Sequence, residues 1–420
     1  LSNQGRARAA LFEVNTATGA AVLVHQESDA DVSEVLTSRL TGKPLAVSAH
    51  ADYPRTRILD PALEADLAPA VKTHADTLFG FDIAALDPTE QRHVIGVFTH
   101  ASRRYYLLDR SRKTHVLLGQ TRDVDFERAL TVPQAMQFRA GDGLVIPAYL
   151  VRPAGAQGKP VPLVVLVHGG PWSRVVWSDP DHSEDLLRAH FLANRGYAVL
   201  AINFRGSVGY GRSFATAAVG EMGARMQDDL ADGARWAVEA GIADPARVAI
   251  MGYSYGGYAT LMALAREPTL FACGVDIAGP TDLASLIENF PPYWELELNH
   301  WYHYVGDPAV GVDRTRMEEA SPLNRADTIE RPVLIIQGEM DVRVRPEQSA
   351  RMAQALARKG KPVHYVSIPQ MGHSLSYWPH HLRVLRETED FLADCLGGRS
   401  ARFDPLEWAA RLSGRLPLLR

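Results

Sequence analysis

The stretch Val248-Ala249-Ile250-Met251-Gly252-Tyr253-Ser254-Tyr255-Gly256-Gly257-Tyr258-Ala259 decides how this chain is to be read. An apolar run with the texture of a buried strand stops at Gly-x-Ser-x-Gly, and an Ala-, Leu- and Met-rich helical pattern follows at once. That context is a nucleophile elbow, a strained strand-to-helix turn that lifts a serine hydroxyl above the end of a sheet. Gly252 and Gly256 belong to it because side chains there would crowd the neighbouring strand and helix. The motif is short, so its weight depends on what the rest of the chain supplies to Ser254.

From residue 162 onward the texture is α/β. Apolar strands are expected at 163–167, 197–203, 248–251, 273–278, 333–337 and 364–368, with amphipathic helices at 226–240, 347–358 and 380–396. Unbroken apolar strands alternating with helices imply a mostly parallel sheet covered on both faces. Such sheets carry their sites at the strand C-terminal ends. There stand His168-Gly169-Gly170-Pro171-Trp172, then Ser254, then Gln337-Gly338-Glu339-Met340-Asp341, then Gln370-Met371-Gly372-His373. Nucleophile, acid and base in the order Ser254, Asp341, His373 are those of an α/β-hydrolase.

The chemistry assigns the roles. His373 accepts the Ser254 proton and later protonates the leaving group, and Asp341 orients the imidazole. Glu339 and Asp276 compete for the acid's place, but Asp276 lies inside an apolar strand and Glu339 is not at the acid's usual place in the loop. The oxyanion needs fixed N–H donors: Tyr255, at the start of the helix after the nucleophile, and Gly170, with Gly169 as the fallback. Pro171 has no N–H to offer. His168 reads as structural. His300/His303 and His380/His381 have no carboxylate or thiolate at ligand spacing and read as surface or aromatic-cluster histidines. No cofactor or metal is expected.

Residues 1–125 look different. Alternating strands joined by polar turns recur around Asn15 and Asp109, with a degenerate third copy ending at Asp60. A spacing of about 45 to 50 residues is that of a propeller blade. Only two to three blades fit, and 61–76 reads as helical or irregular. The expected organisation is a partial all-β propeller-like segment over 1–125, an α/β-hydrolase domain over 126–398 and a helical extension over 399–420. The lead-in 137–153 forms a hairpin turning at Gly141-Asp142-Gly143. Residues 404–412 read as an amphipathic helix docking on the domain surface or on a second copy of the chain in a homo-oligomer.

The totals bound the function. At 420 residues, 46% hydrophobic and 22% charged, two globular domains are expected. A net charge of -5 with acids and bases interspersed offers no basic face to nucleic acid. No apolar run reaches the ~20 residues that cross a bilayer. Cys273 and Cys395 read as buried free thiols, which points to a reducing, cytoplasmic setting. Leu1 in place of Met leaves room for an upstream segment, and a signal peptide there would make the setting periplasmic.

His168-Gly169-Gly170-Pro171, 203–211 (Asn203-Phe204-Arg205-Gly206-Ser207 onward), Gly252 to Tyr258, Asp341-Val342-Arg343-Val344 and Gly372-His373 together resemble the prolyl oligopeptidase family, nearest its acylaminoacyl-peptidase-like branch. The resemblance covers residues 130–397. It implies a serine peptidase acting on short peptides, with a propeller that restricts access. It also implies that Arg343 hydrogen-bonds the substrate carbonyl next to the P1 residue, while Arg345 reads as a surface arginine. Arg205 is expected to anchor loops around the site. Tyr293 and Trp294, in an aromatic group between 281 and 326, are candidates to line an apolar S1 pocket or simply to pack as core. Gln337 departs from the His usual before this glycine, which is expected to affect loop packing more than chemistry. The alternative function on the same triad is a carboxylesterase.

Overall fold

Unbroken Val, Leu and Ile runs cannot leave one face in water, and the computed structural model buries them on both. It describes residues 1–73, 80–122, 128, 130–156, 158–177 and 183–401. The chain divides into two units: Leu1–Ala135 with Arg174–His190 and Ser207–Thr216, and Met136–Ser173 with Phe191–Gly206 and Ala217 onward.

In the first unit, β1 (Leu11–Val14) and β2 (Ala21–His25) form a hairpin. Strands β3 (Val32–Thr37), β4 (Pro44–His50) and β5 (Pro54–Ile58) form an antiparallel sheet of three. Strands β6 (Gly80–Leu86), β7 (Arg92–Phe98), β8 (Arg103–Asp109) and β9 (Thr114–Gln120) form an antiparallel meander of four. Asn15 and Asp109 each head a hairpin turn. Asn15 Oδ1 accepts the amides of Ala17 and Thr18 at 3.0 and 3.1 Å, and Asp109 Oδ1 accepts that of Arg112 at 3.0 Å. Asp60 does something else. It follows β5 and accepts the Leu63 amide at 2.7 Å at the start of the helix Pro61–Thr73. The same short acceptor serves a helix there, so Asp60 does not head a hairpin turn. Leu63 and Leu67 on that helix share a core with Leu45, Ile95, Val97 and Leu108.

The second unit is built on one eight-stranded sheet. Its strands are β10 (Gln134–Arg139), β11 (Val145–Val151), β12 (Val161–Val167), β13 (Ala198–Ile202), β14 (Ala243–Tyr253), β15 (Cys273–Ile277), β16 (Val333–Gly338) and β17 (Val363–Ile368). Their order is β10-β11-β13-β12-β14-β15-β16-β17, antiparallel at β11–β13 and parallel from β13 through β17. β17 is one of the two edge strands, and its burial alternates where that of inner strands such as β13 and β16 does not. The helix Tyr255–Arg266 is buried from Tyr255 through Ala265, which explains its almost wholly apolar and glycine-containing sequence.

One reading of the sequence is corrected here. Cys273 and Cys395 are joined in a disulfide, their Cα atoms 6.5 Å apart. The helix Trp378–Leu396 packs on β14, β15 and β16, so residues 122 positions apart in sequence meet across the sheet. Spacing along the chain carries no trace of that contact. The inference of a reducing compartment loses its basis. Among the described residues no helix is long and apolar enough to cross a membrane. The 404–412 helix expected from sequence lies outside the described residues.

Candidate active site

Parallel pairing places the loops after β12, β14, β16 and β17 at one end of the sheet. Ser254 follows β14 with φ 58° and ψ −118°, a left-handed conformation that costs a non-glycine residue about 1–3 kcal/mol. The surroundings hold it there. Its N–H donates to Ile277 O at 2.8 Å, and its carbonyl accepts from Gly257 and Tyr258 at 2.9 and 3.1 Å. The turn is closed by glycines: a Cβ on Gly256 would lie 2.1 Å from Val167 O, and one on Gly252 2.5 Å from the Gly256 backbone.

Asp341 and His373 come together because β16 and β17 pair, with Gly338 opposite Ile368. Their loops touch directly, since a Cβ on Gly338 would fall 2.3 Å from Met371 O. Met340 N donates to Met371 O at 2.9 Å. His373 Nδ1 lies 2.7 Å from Asp341 Oδ2, and Nε2 lies 3.1 Å from Ser254 Oγ. A carboxylate only accepts, so in the neutral ring Nδ1 carries the proton and the Nε2 lone pair faces the hydroxyl. Asp341, 3% exposed, also accepts the amides of Arg343 and Val344 on Oδ1 at 2.9 and 3.0 Å. The other two acids stand elsewhere. Glu339 is exposed and accepts from Ser367. Asp276 is fully buried, with Oδ1 on the Gly279 amide at 2.8 Å, and burial pushes its carboxyl up to about 8.

The glycine loop passes over the elbow. A Cβ on Gly169 would meet Tyr253 O at 3.2 Å and Ser254 Cβ at 3.5 Å. Gly170 has φ 126° and precedes a cis Pro171. Tyr255 opens its helix, where the first amides have no intrahelical acceptor. His168, 1% exposed, stacks on Phe204 with ring centres 4.3 Å apart. Phe204 in turn packs on Tyr255 at 5.1 Å. Next to it, Arg205 is 2% exposed and donates from its backbone N–H, Nε and Nη2 to Asp229 at 2.8, 2.9 and 2.7 Å, and from Nη1 to Asp142 at 2.7 Å. Arg205 therefore ties the Phe204 loop to the β10–β11 turn and to the helix Arg225–Glu239. Burial pushes Asp229 up to about 6 even against this pairing, whereas Asp142, at the surface, is held down to about 2 by Arg205.

On the other side, the Arg343 guanidinium lies 5.5 Å over the Trp294 ring. Trp294 meets Phe290 edge-on at 4.8 Å and neighbours Trp301 at 6.3 Å. Trp301 meets Trp172 at 4.9 Å, and Trp172 meets His300 at 4.2 Å. One aromatic group thus runs from the glycine loop to Arg343. Tyr293 stands at its margin, 58% exposed. His300 belongs to this cluster, and among the described residues no three His, Cys, Asp or Glu gather around a metal position.

Sequence reasoning missed the use of Gln337. It is fully buried, and its Nε2 reaches Asp341 Oδ2 at 3.3 Å. The residue touches the acid of the constellation as well as packing its loop. The available signal was its place at the end of β16, four residues before Asp341.

A hydroxyl on an imidazole, itself on a buried carboxylate, is an arrangement for nucleophilic attack on an acyl carbon. A profile of the prolyl oligopeptidase family matches residues 183–399. The chain belongs to the prolyl oligopeptidase family. Within this family it is 40% identical to dipeptidyl aminopeptidase BIII of Pseudoxanthomonas mexicana, over 95% of this chain and 58% of that protein. It is 38% identical to dipeptidyl peptidase family member 6 of Caenorhabditis elegans, over 71% of this chain and 43% of that one. A crystal structure of puromycin hydrolase is 26% identical with a TM-score of 0.78, covering 96% of this chain and 60% of the other. The chain spans about half the length of the curated relatives it matches. Membership accounts for the fold, an α/β-hydrolase preceded by a propeller-like strand-rich segment.

Proposed function

We propose that the chain hydrolyses peptide bonds of short peptides through an acyl-enzyme on Ser254. The observation that carries this is the continuous contact of Ser254 Oγ with His373 and of His373 with Asp341 at the elbow. His373 Nε2 takes the hydroxyl proton as Oγ attacks the carbonyl, then gives it to the leaving amine. Water repeats the sequence to free the enzyme. The oxyanion is held by the amides of Tyr255 and Gly170. Arg343 clamps the carbonyl next to P1, and Trp294 with Tyr293 forms the apolar wall for the substrate side chain. The peptidase and puromycin-hydrolase names of the relatives support this reading over simple ester hydrolysis. The strands of residues 1–125 are assigned to the closing blades of a propeller, and 126–398 to the catalytic domain. The disulfide favours an oxidising compartment over the cytoplasm.

The test is turnover of N-acetylated, free dipeptidyl and internally quenched peptides by the parent chain and by Ser254→Ala. Cleavage of at least one peptide class, lost in the variant, is expected. Hydrolysis of esters alone would instead make the protein a carboxylesterase on the same three residues.

A further inference from the structure

Arg343 does not stand alone. It lines a cavity of about 310 Å³ together with Arg345 and Arg351, with Ser285, Asn289 and Gln348 completing the polar wall. One lining residue touches the acid of the triad: the Arg343 backbone N–H donates to Asp341 Oδ1 at 2.9 Å. Three arginines and one acid, Glu347, line it. Glu347 occupies the first turn of the helix Pro346–Arg358, where the helix dipole already favours a negative charge. Arg351 is paired with Asp282 at 3.1 Å. Arg343 and Arg345 have no ion-pair partner among the described residues. The stack on Trp294 covers a face of the Arg343 guanidinium and leaves its in-plane N–H donors unused.

The wall is rigid. Gln348 Oε1 accepts the amides of Thr281 and Asp282 at 2.9 and 2.8 Å, and its Nε2 donates to Asp282 O at 3.2 Å. Asn289 Nδ2 is spent on Ser285 O at 2.8 Å. Unpaired guanidinium forks beside a fixed wall match a carboxylate, which such groups bind in a bidentate manner. The volume is at the lower end of small-ligand sites, roughly 300 Å³ upward, and admits one side chain or terminal group rather than a longer segment.

We propose that this cavity is a specificity site for a carboxylate of the substrate, an acidic side chain on the N-terminal side of the P1 residue, bound by the unpaired Arg345 with Arg343 at the mouth, while Arg351, paired with Asp282, lines the wall beside them. The proposal rests on the peptidase reading above. Its test compares kcat/KM for peptides identical except for Glu, Gln or Leu at the residue before P1, in the parent chain, Arg345→Ala and Arg351→Ala. A terminal carboxylate is set against its amide as a separate arm. Charge-assisted hydrogen bonds predict a Glu-over-Gln preference of about tenfold or more, weakened by salt, falling toward unity in Arg345→Ala and by a smaller factor in Arg351→Ala. A terminal-carboxylate preference in place of the side-chain one overturns the assignment of source. No preference, or one that survives both substitutions, overturns the site. Competition by glutarate against ester turnover reads the cavity even where no peptide is cleaved. Inhibition that Arg345→Ala removes supports the site, and its absence counts against it. Failure of the peptidase reading, by contrast, shows as ester turnover with no peptide cleavage at all.

Discussion

Gln337 Nε2 stands 3.3 Å from Asp341 Oδ2, the oxygen that also receives His373 Nδ1 at 2.7 Å. The same nitrogen faces the carbonyls of Gly338 and Val344, both at 3.1 Å, while Oε1 accepts from Ser349 Oγ at 2.8 Å. Carbonyls only accept, so the amide can turn only its nitrogen toward the aspartate. Asp341 is thereby held on both oxygens by uncharged donors.

Removing that donor should cost rate more than binding. Gln337→Met keeps the volume and deletes the hydrogen bond, so kcat is expected to fall about tenfold with KM little changed. Gln337→His, which restores a donor, should recover part of the loss. Steady-state kinetics beside thermal melting decides the matter. A Met variant that melts lower but turns over normally would make Gln337 a packing residue only.

The elbow should not tolerate a methyl group. Gly256→Ala places Cβ 2.1 Å from a backbone oxygen that cannot move without breaking β12. The expected result is a lower melting temperature and loss of Ser254 labelling by a fluorophosphonate. Gly119→Ala, where a Cβ meets nothing within 4 Å, is the control and should match the parent in both measurements.

Arg205 neutralises a carboxylate buried beside it. Arg205→Met leaves Asp229, with no exposed surface, as an unpaired buried acid, and the loss should be about 3–5 kcal/mol. Adding Asp229→Asn to that variant should restore part of the stability, because the buried charge goes with it. Denaturant unfolding of the full chain measures both. Equal stability of the single and double variants would remove the pair from this role.

Asp276 gives the protein a pH dependence whose sign can be worked out. Its native value of about 8 lies above the ordinary 3.8, so between these values the unfolded chain releases a proton that the native chain keeps. The stability contribution is complete below about pH 4 and declines as pH rises toward 8. Asp276→Asn cannot ionise, and its melting temperature relative to the parent should climb across that window and then level off. A difference that stays constant with pH would contradict the buried, protonated assignment.

Much of this was legible in the chain because it is local chemistry. Unbroken apolar runs such as 163–167 read as strands with both faces covered. Glycine at 252 and 256 marked a turn too tight for side chains. Ser254, Asp341 and His373 each fall just past a strand, and parallel pairing carries all such positions to one end of the sheet. Fold class and the candidate nucleophile and base follow from those patterns.

Contacts between remote residues were decided only by the tertiary structure. Strand order puts β16 against β17, so Asp341 meets His373 while Glu339 turns to Ser367 and Asp276 is sealed one strand away. Docking of the last helix on the sheet joins Cys395 to Cys273. The folding of the Asp341 loop brings Gln337 back onto the acid, and a helix start gives Asp60 a role unlike that of Asn15. Residue type and spacing state what a side chain can do. Which partner it does it with depends on distances through space, and those are set by how the elements pack.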